Sequence, residues 1–183
     1  MLLDATRSQL VLVDYQHRLM PAIHEGAQAL ENAIVLGRLA QLFQVPAWGT
    51  EQVPEKLGGN DPRVRELCDQ TLAKHRFGAL HDGLLAWLRP AQDDDAAPRE
   101  QIVVAGCEAH VCLLQTALEM LKAGFEVFVV ADACASRTAR NRDLAFARLQ
   151  TAGAHLVSTE MVAFEWCRSA RHPEFRRMLE LVK

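Results

Sequence analysis

The chain has 183 residues, 50% of them hydrophobic, with 10 Gly and 7 Pro, which suits one globular domain with a sizeable core over residues 1–183. A formal net charge of −3 without any cluster of Lys and Arg argues against nucleic acid as a partner, and no apolar run approaches the roughly 20 residues of a membrane span. Five cysteines, an odd number with no CxxC pair, point to reduced thiols rather than a disulfide framework or zinc cluster; with no signal-peptide pattern at the N-terminus, a cytoplasmic location is expected.

In chain order, Gln9 to Val13 (QLVLV) reads as a buried strand that ends at Asp14, a carboxylate placed where the chain leaves the sheet. Ala22 to Phe43 carries Ile23, Ala29, Ala33, Leu36 and Ala40 within a broad apolar face, the pattern of a long amphipathic helix. A second strand, Val45 to Trp48, precedes GTEQVPEKLGGNDP, whose Gly and Pro residues predict a loop without regular structure. Arg63 to Asp69 reads as a short helix, Thr71 to Ala73 as a third strand ending at Lys74, and Asp82 to Leu88 as another helical piece. The polar stretch Pro90 to Arg99 predicts a solvated surface loop.

Ile102 to Ala105 (IVVA) is short and β-branched, as a strand covered on both faces should be, and Gly106 ends it. Val111, Leu114, Leu118 and Leu121 recur at helical spacing, with Gly124 as the stop, so Cys112 falls near a helix N-terminus. There, unpaired backbone N–H groups and the helix dipole favour a thiolate. Glu126 to Val130 is a fifth strand, Asn141 to Ala152 a helix, and His155 to Val157 a sixth strand. Glu160 to Cys167 and Glu174 to Val182 close the chain as helices.

Alternating strands and helices predict a three-layer α/β/α domain around a six-stranded, mostly parallel sheet, in which ligands bind at the carboxyl ends of the strands. That rule gathers Asp14, Lys74 and Cys112 on one rim. The turn after the first strand, DYQHRLMP, has no glycine, so no phosphate-cradling loop is present. His110 lies two residues from Cys112 and points to another helical face, which argues against a Cys-His pair. Tyr15, Gln16, Phe77 and His110 are candidates for lining a substrate pocket. Taken singly, Asp14 reads as a turn cap, Lys74 as a surface ion-pair partner and Cys112 as a small buried residue.

The motifs LVLVDYQ, AKHRF and AGCEAHVCLLQTA, in this order, resemble those of the isochorismatase-like cysteine hydrolase superfamily, and the likeness runs from about Leu10 to the end of the chain. The tract EAHVCLLQTALEMLKAGFEVFVVADACASR, with Ser158 to Trp166, is most similar to the isochorismatase domain-containing subgroup of unassigned substrate. The resemblance implies the six-stranded, Rossmann-like fold and a catalytic triad of Asp14, Lys74 and Cys112. It also implies a cis peptide at Cys107-Glu108 and an oxyanion hole built from the backbone N–H groups of Glu108 and Cys112. The activity implied is hydrolysis of an amide or related C–N bond of a small molecule through an acyl-thioester, in a homo-oligomer.

Two alternatives stand beside this reading: a non-enzymatic binding or scaffold protein that retains the fold, and vinyl ether hydrolysis driven by Asp14. Cys112 argues against the second, because true isochorismatases lack it. Thr50, Glu51 and Gln52 stand where nicotinamidase-type relatives carry a metal-binding Asp-x-His, so no metal and no cofactor is expected. Gly78 stands where many relatives have Ser, a change expected to open the pocket. Lys74 favours a Cys112 thiolate and Asp14 opposes it, and the balance is expected to make Cys112 the fastest of the five cysteines to alkylate.

Overall fold

The two strands that the sequence makes most apolar lie side by side at the centre of the sheet. In the computed structural model of the chain, which describes residues 1–89 and 98–183, β1 (Ser8–Val13) pairs in parallel with β4 (Gln101–Gly106), and every residue of both is buried. The surface loop expected at Pro90 to Arg99 falls largely outside the described residues. β2 (Ala47–Gln52) and β3 (Gln70–Lys74) extend the sheet on one side of β1, and β5 (Glu126–Val130) and β6 (His155–Val157) extend it on the far side of β4. The order is β3-β2-β1-β4-β5-β6, and every neighbouring pair is parallel.

Parallel strands need crossovers, and right-handed crossovers running in opposite directions from the centre place helices on both faces. α1 (Gly26–Leu42) packs with the two closing helices, here α7 (Thr159–Cys167) and α8 (Phe175–Val182). α5 (Leu114–Lys122) packs on β5 and beside α6 (Ala139–Thr151). The connections hold three short helices, α2 (Pro54–Leu57), α3 (Pro62–Arg65) and α4 (Leu84–Leu88).

Several elements differ from the reading of the sequence, for local reasons. The first long helix starts at Gly26 rather than Ala22, because Met20–Ala22, with Pro21 inside it, forms a separate 3-10 turn. Gly49 to Gln52, expected as loop, continue β2, since the strand has a partner on each side: Thr50 is paired with Val13 and Gln52 with Lys74. Two helical turns interrupt the rest of that stretch, each with a proline at its start, where a missing N–H costs nothing. On α5 the buried residues are Leu114, Thr116, Ala117 and Met120, while Leu118 and Leu121 are half-buried. The helix lies between β5 and the Leu80–Asp82 turn, and Thr116 and Ala117 are covered along with Leu114 of the expected apolar stripe.

One glycine fixes the centre of the sheet. Gly106 is the register partner of Val13, and a Cβ added to it would lie 2.5 Å from that of Val13. The close approach lets the Cys107 N–H donate to the Val13 carbonyl at 2.9 Å, so the turn after β4 leaves the sheet directly beside Asp14.

Candidate active site

Strand order reverses between β1 and β4, and the crevice at such a switch point is where open α/β sheets bind ligands. Asp14 stands at its edge with a left-handed φ of 56°, a region that Asp enters more readily than most residues. Its backbone N–H donates to the Thr50 carbonyl at 3.1 Å. Oδ1 accepts from Thr50 Oγ1 at 2.7 Å, and Oδ2 accepts from Lys74 Nζ at 2.8 Å. Both side chains of the ion pair are fully buried.

A buried pair survives only if its remaining hydrogen-bonding capacity is filled. Lys74 Nζ also donates to Gln52 Oε1 at 2.7 Å and to the carbonyls of Phe77 at 3.1 Å and Arg76 at 3.4 Å. Gln52 is the register partner of Lys74 across β2 and β3, so the two side chains stand on one face of the sheet as neighbours. Just past Gln52, Val53 has a φ of 40°, an outlier for a β-branched residue. The ends of β1 and β2 are thus both followed by a non-glycine residue in the left-handed region, Asp14 and Val53.

Cys112 comes from the other half of the sheet. After β4 the Cys107-Glu108 peptide bond is cis, and Ala109–Leu113 form a π turn that leads into α5. The Glu108 carbonyl accepts from the Val111 and Leu113 N–H groups, whereas the Glu108 N–H meets no acceptor among the described residues. Cys112 is 6% exposed, and its thiol donates a long hydrogen bond, 3.9 Å, to Gln52 Oε1.

Burial first and Asp14 second push the Cys112 thiol up to about 12, with Lys74 pulling the other way. The expected thiolate is therefore corrected to a neutral thiol at rest. The helix-start argument leaves out burial and the nearby Asp14 carboxylate, which a one-dimensional reading cannot supply. Burial likewise pushes Cys68 and Cys134 up to about 12 and Cys107 higher still, so charge does not set Cys112 apart from these three.

The four residues expected to line the pocket divide into two pairs. Tyr15 and Gln16 have no exposed surface. The Tyr15 hydroxyl donates to the Ala133 carbonyl, and Gln16 clamps Gln52, accepting from its N–H at 2.8 Å and donating to its carbonyl at 3.0 Å. They brace the site, because their polar atoms are satisfied inside the protein. Phe77 is 51% exposed beside Lys74, and His110 is half-buried, with Nδ1 3.0 Å from Ser136 Oγ and Nε2 3.4 Å from Asn141 Nδ2. Glu108 completes this rim by accepting from Arg137 Nε at 2.8 Å.

Gly78 does not open the pocket. A Cβ there would lie 2.3 Å from Glu119 Oε1, and that carboxylate accepts from the Leu80 N–H at 3.1 Å, so the space belongs to α5. Thr50 and Gln52, which the sequence reading weighed only as missing metal ligands, turn onto Asp14 and Lys74 instead. Their i, i+2 spacing at the end of a strand, which puts them on one face, is the signal that would have found them. Among the described residues no group of three His, Cys, Asp or Glu side chains is placed to hold a metal ion. No helix among them is long and apolar enough to cross a membrane.

The geometry can be set beside known proteins. The family model of the isochorismatase domain matches residues 8–161. The mouse isochorismatase domain-containing protein 2A is 32% identical over 179 residues, covering 96% of this chain and 82% of the mouse protein. Among solved structures, the MAR1 ribonuclease from Caenorhabditis elegans is 28% identical with a TM-score of 0.87, covering 100% of this chain and 92% of that one. The Escherichia coli YcaC gene product, an octameric hydrolase of unknown specificity, is 26% identical with a TM-score of 0.83, covering 98% of this chain and 95% of that one.

Proposed function

The chain belongs to the isochorismatase domain family, and from that premise we propose that it is a single-domain cysteine hydrolase that cleaves an amide or related C–N bond of a small molecule. The observation that carries the reading is the buried network in which Lys74 joins Asp14 to Gln52 at the foot of the Cys112 thiol. An acid, a base and a nucleophile from three distant stretches of sequence share one water-poor crevice.

The chemistry follows from who can hold the proton. As Cys112 Sγ bonds to the substrate carbonyl carbon, the thiol proton passes to Asp14, and the carbonyl electron pair moves to oxygen. The backbone N–H groups of Glu108 and Cys112 meet that oxygen; the Glu108 N–H, without a protein acceptor among the described residues, supports this role. Asp14 then returns the proton to the nitrogen as the C–N bond breaks, leaving an acyl-thioester. In the second half Asp14 takes a proton from the attacking water, the C–S bond breaks and the thiol is restored. Lys74 and Thr50 hold both carboxylate oxygens in place while the charge changes.

The proposal includes a homo-oligomer, supported by the octameric E. coli neighbour and by the exposed Met161 and Phe164 of α7, and a cytoplasmic location, supported by five free cysteines. The test is a panel of small amides with Cys112→Ala as the blank and intact-mass detection of an acyl adduct. Turnover lost by about 10⁴-fold in Cys112→Ala, with the adduct seen in the parent protein, is the expected result. RNA belongs in the panel because the nematode neighbour is a ribonuclease by name. RNA cleavage that survives Cys112→Ala would replace this reading, and ligand binding without turnover would leave a binding protein.

A further inference from the structure

Gln52 hydrogen-bonds both the Lys74 ammonium and the Cys112 thiol, and the proposed triad gives it no role. Its orientation follows from chemistry. Nε2 donates to the His75 carbonyl at 2.7 Å and Oε1 faces Lys74 Nζ at 2.7 Å; exchanging the two would set an amide NH2 against an ammonium and an oxygen against a carbonyl. The Gln16 clamp on its backbone prevents the residue from drifting.

Lys74 has three protons to give, and Gln52 Oε1, Asp14 Oδ2 and the Phe77 carbonyl meet them at 2.7, 2.8 and 3.1 Å, with the Arg76 carbonyl a fourth acceptor at 3.4 Å. These oxygens hold the ammonium protons, and sulfur competes with them for one. The acceptor that faces the thiol is the same Oε1 that holds Lys74.

We infer that Gln52 sets the resting protonation state of Cys112, its Oε1 accepting from the thiol and retaining the Lys74 N–H that a thiolate would need. When the thiol ionises, the S–H bond breaks, its electron pair stays on sulfur and the proton goes to the Asp14 carboxylate. One Lys74 N–H then turns from Oε1 to Sγ. Gln52 is a positioning residue that acts through Lys74 and the thiol, and its meaning for turnover rests on the proposed role of Cys112.

Three effects share one sign: the negative end of the amide dipole faces sulfur, Oε1 accepts from the neutral thiol, and it competes for the cation. The other charged groups around the thiol are accounted for. Asp14 reaches it from β1 and Lys74 from β3. In its own turn Glu108 is paired with Arg137, and His110 is bonded to Ser136 and to Asn141 of α6. α5 contributes Glu119, which is turned to the Leu80 N–H.

The test needs no substrate. Alkylation of each cysteine by iodoacetamide is followed against pH by peptide mass spectrometry in the parent protein, Gln52→Met and Gln52→Glu, with Cys134 as the internal gauge of opening. Gln52→Met should alkylate Cys112 about tenfold faster at pH 8, which corresponds to about one pKa unit. Gln52→Glu, with a full negative charge at the same place, should slow it. Unchanged or slower labelling in Gln52→Met, or acceleration that Cys134 shares, would overturn the inference. If Gln52→Met does not fold by circular dichroism, Gln52→Asn, which keeps the amide but withdraws its reach, must move Cys112 in the same direction or the inference fails. An absence of amide turnover would sink the hydrolase reading and leave this result unaffected.

Discussion

On one side of Cys112, at the ends of β1, β2 and β3, the side chains of Asp14, Thr50, Gln52 and Lys74 are buried, and each is bonded to another member of the group. On the other side, at the turn after β4, Glu108 and His110 are bonded to Arg137, Ser136 and Asn141, and the Arg137 side chain is 59% exposed. Charges in the first group act through a low dielectric and cannot be traded for water, whereas in the second the buried Glu108 faces an exposed Arg137 that water screens. On the proposed mechanism, proton handling is insulated and the approach to it is left open.

The comparison is broken most directly by removing the buried cation. Lys74→Met leaves Asp14 buried without its partner and should cost about 3–5 kcal/mol in urea unfolding, with much of that recovered in the Lys74→Met, Asp14→Asn double variant. A loss below about 1 kcal/mol would mean that water reaches the pair and that the two sides are alike. Gly78→Ser tests the loop that brings the Phe77 carbonyl to Lys74. Its Cβ displaces the Glu119 carboxylate from the Leu80 N–H, for an expected loss of about 1–2 kcal/mol by thermal melting, which Glu119→Ala in the same chain should reduce.

Arg137→Ala sharpens the contrast from the open side. The ion pair with Glu108 is worth under about 1 kcal/mol, so stability should barely move while KM for an active amide changes more than kcat. The smallest effect is expected in acid. The Asp82 carboxyl is held below its usual range, most of all by the Arg76 N–H and further by that of His75. A depressed folded pKa contributes stability that is present above about pH 4 and fades as pH falls through the folded value. Protection of the His75 and Arg76 amides, relative to their intrinsic exchange rates, should therefore fall as pH drops below about 4 in the parent protein and lose that dependence in Asp82→Asn.

Asp14, Lys74 and Cys112 were legible because each follows or faces an apolar run whose end is easy to see, and the sheet rule does the rest. Thr50 and Gln52 were not. Gly49 beside two polar residues imitates a loop, and only pairing with strands on both sides, one of them some twenty residues later, holds the segment extended. The neutral thiol and the burial of Tyr15 and Gln16 depend on how deeply the crevice is covered, a property of the packed molecule. Glu119 filling the space at Gly78 joins residues 41 positions apart, beyond the reach of any local pattern.

Lys74 belongs to β3, which closes the sheet on one side and leaves Gln70 and Ala73 open to solvent. Peripheral strands are the first to part from a sheet as it loosens, well before the central ladder yields. Lys74 is therefore carried by one of the least secure strands, while Asp14 and Cys112, the proposed acid and nucleophile, follow the two central ones. Gentle warming or dilute denaturant should separate them while the β1–β4 pair is intact, so that loss of function runs ahead of loss of fold and reverses on return to mild conditions.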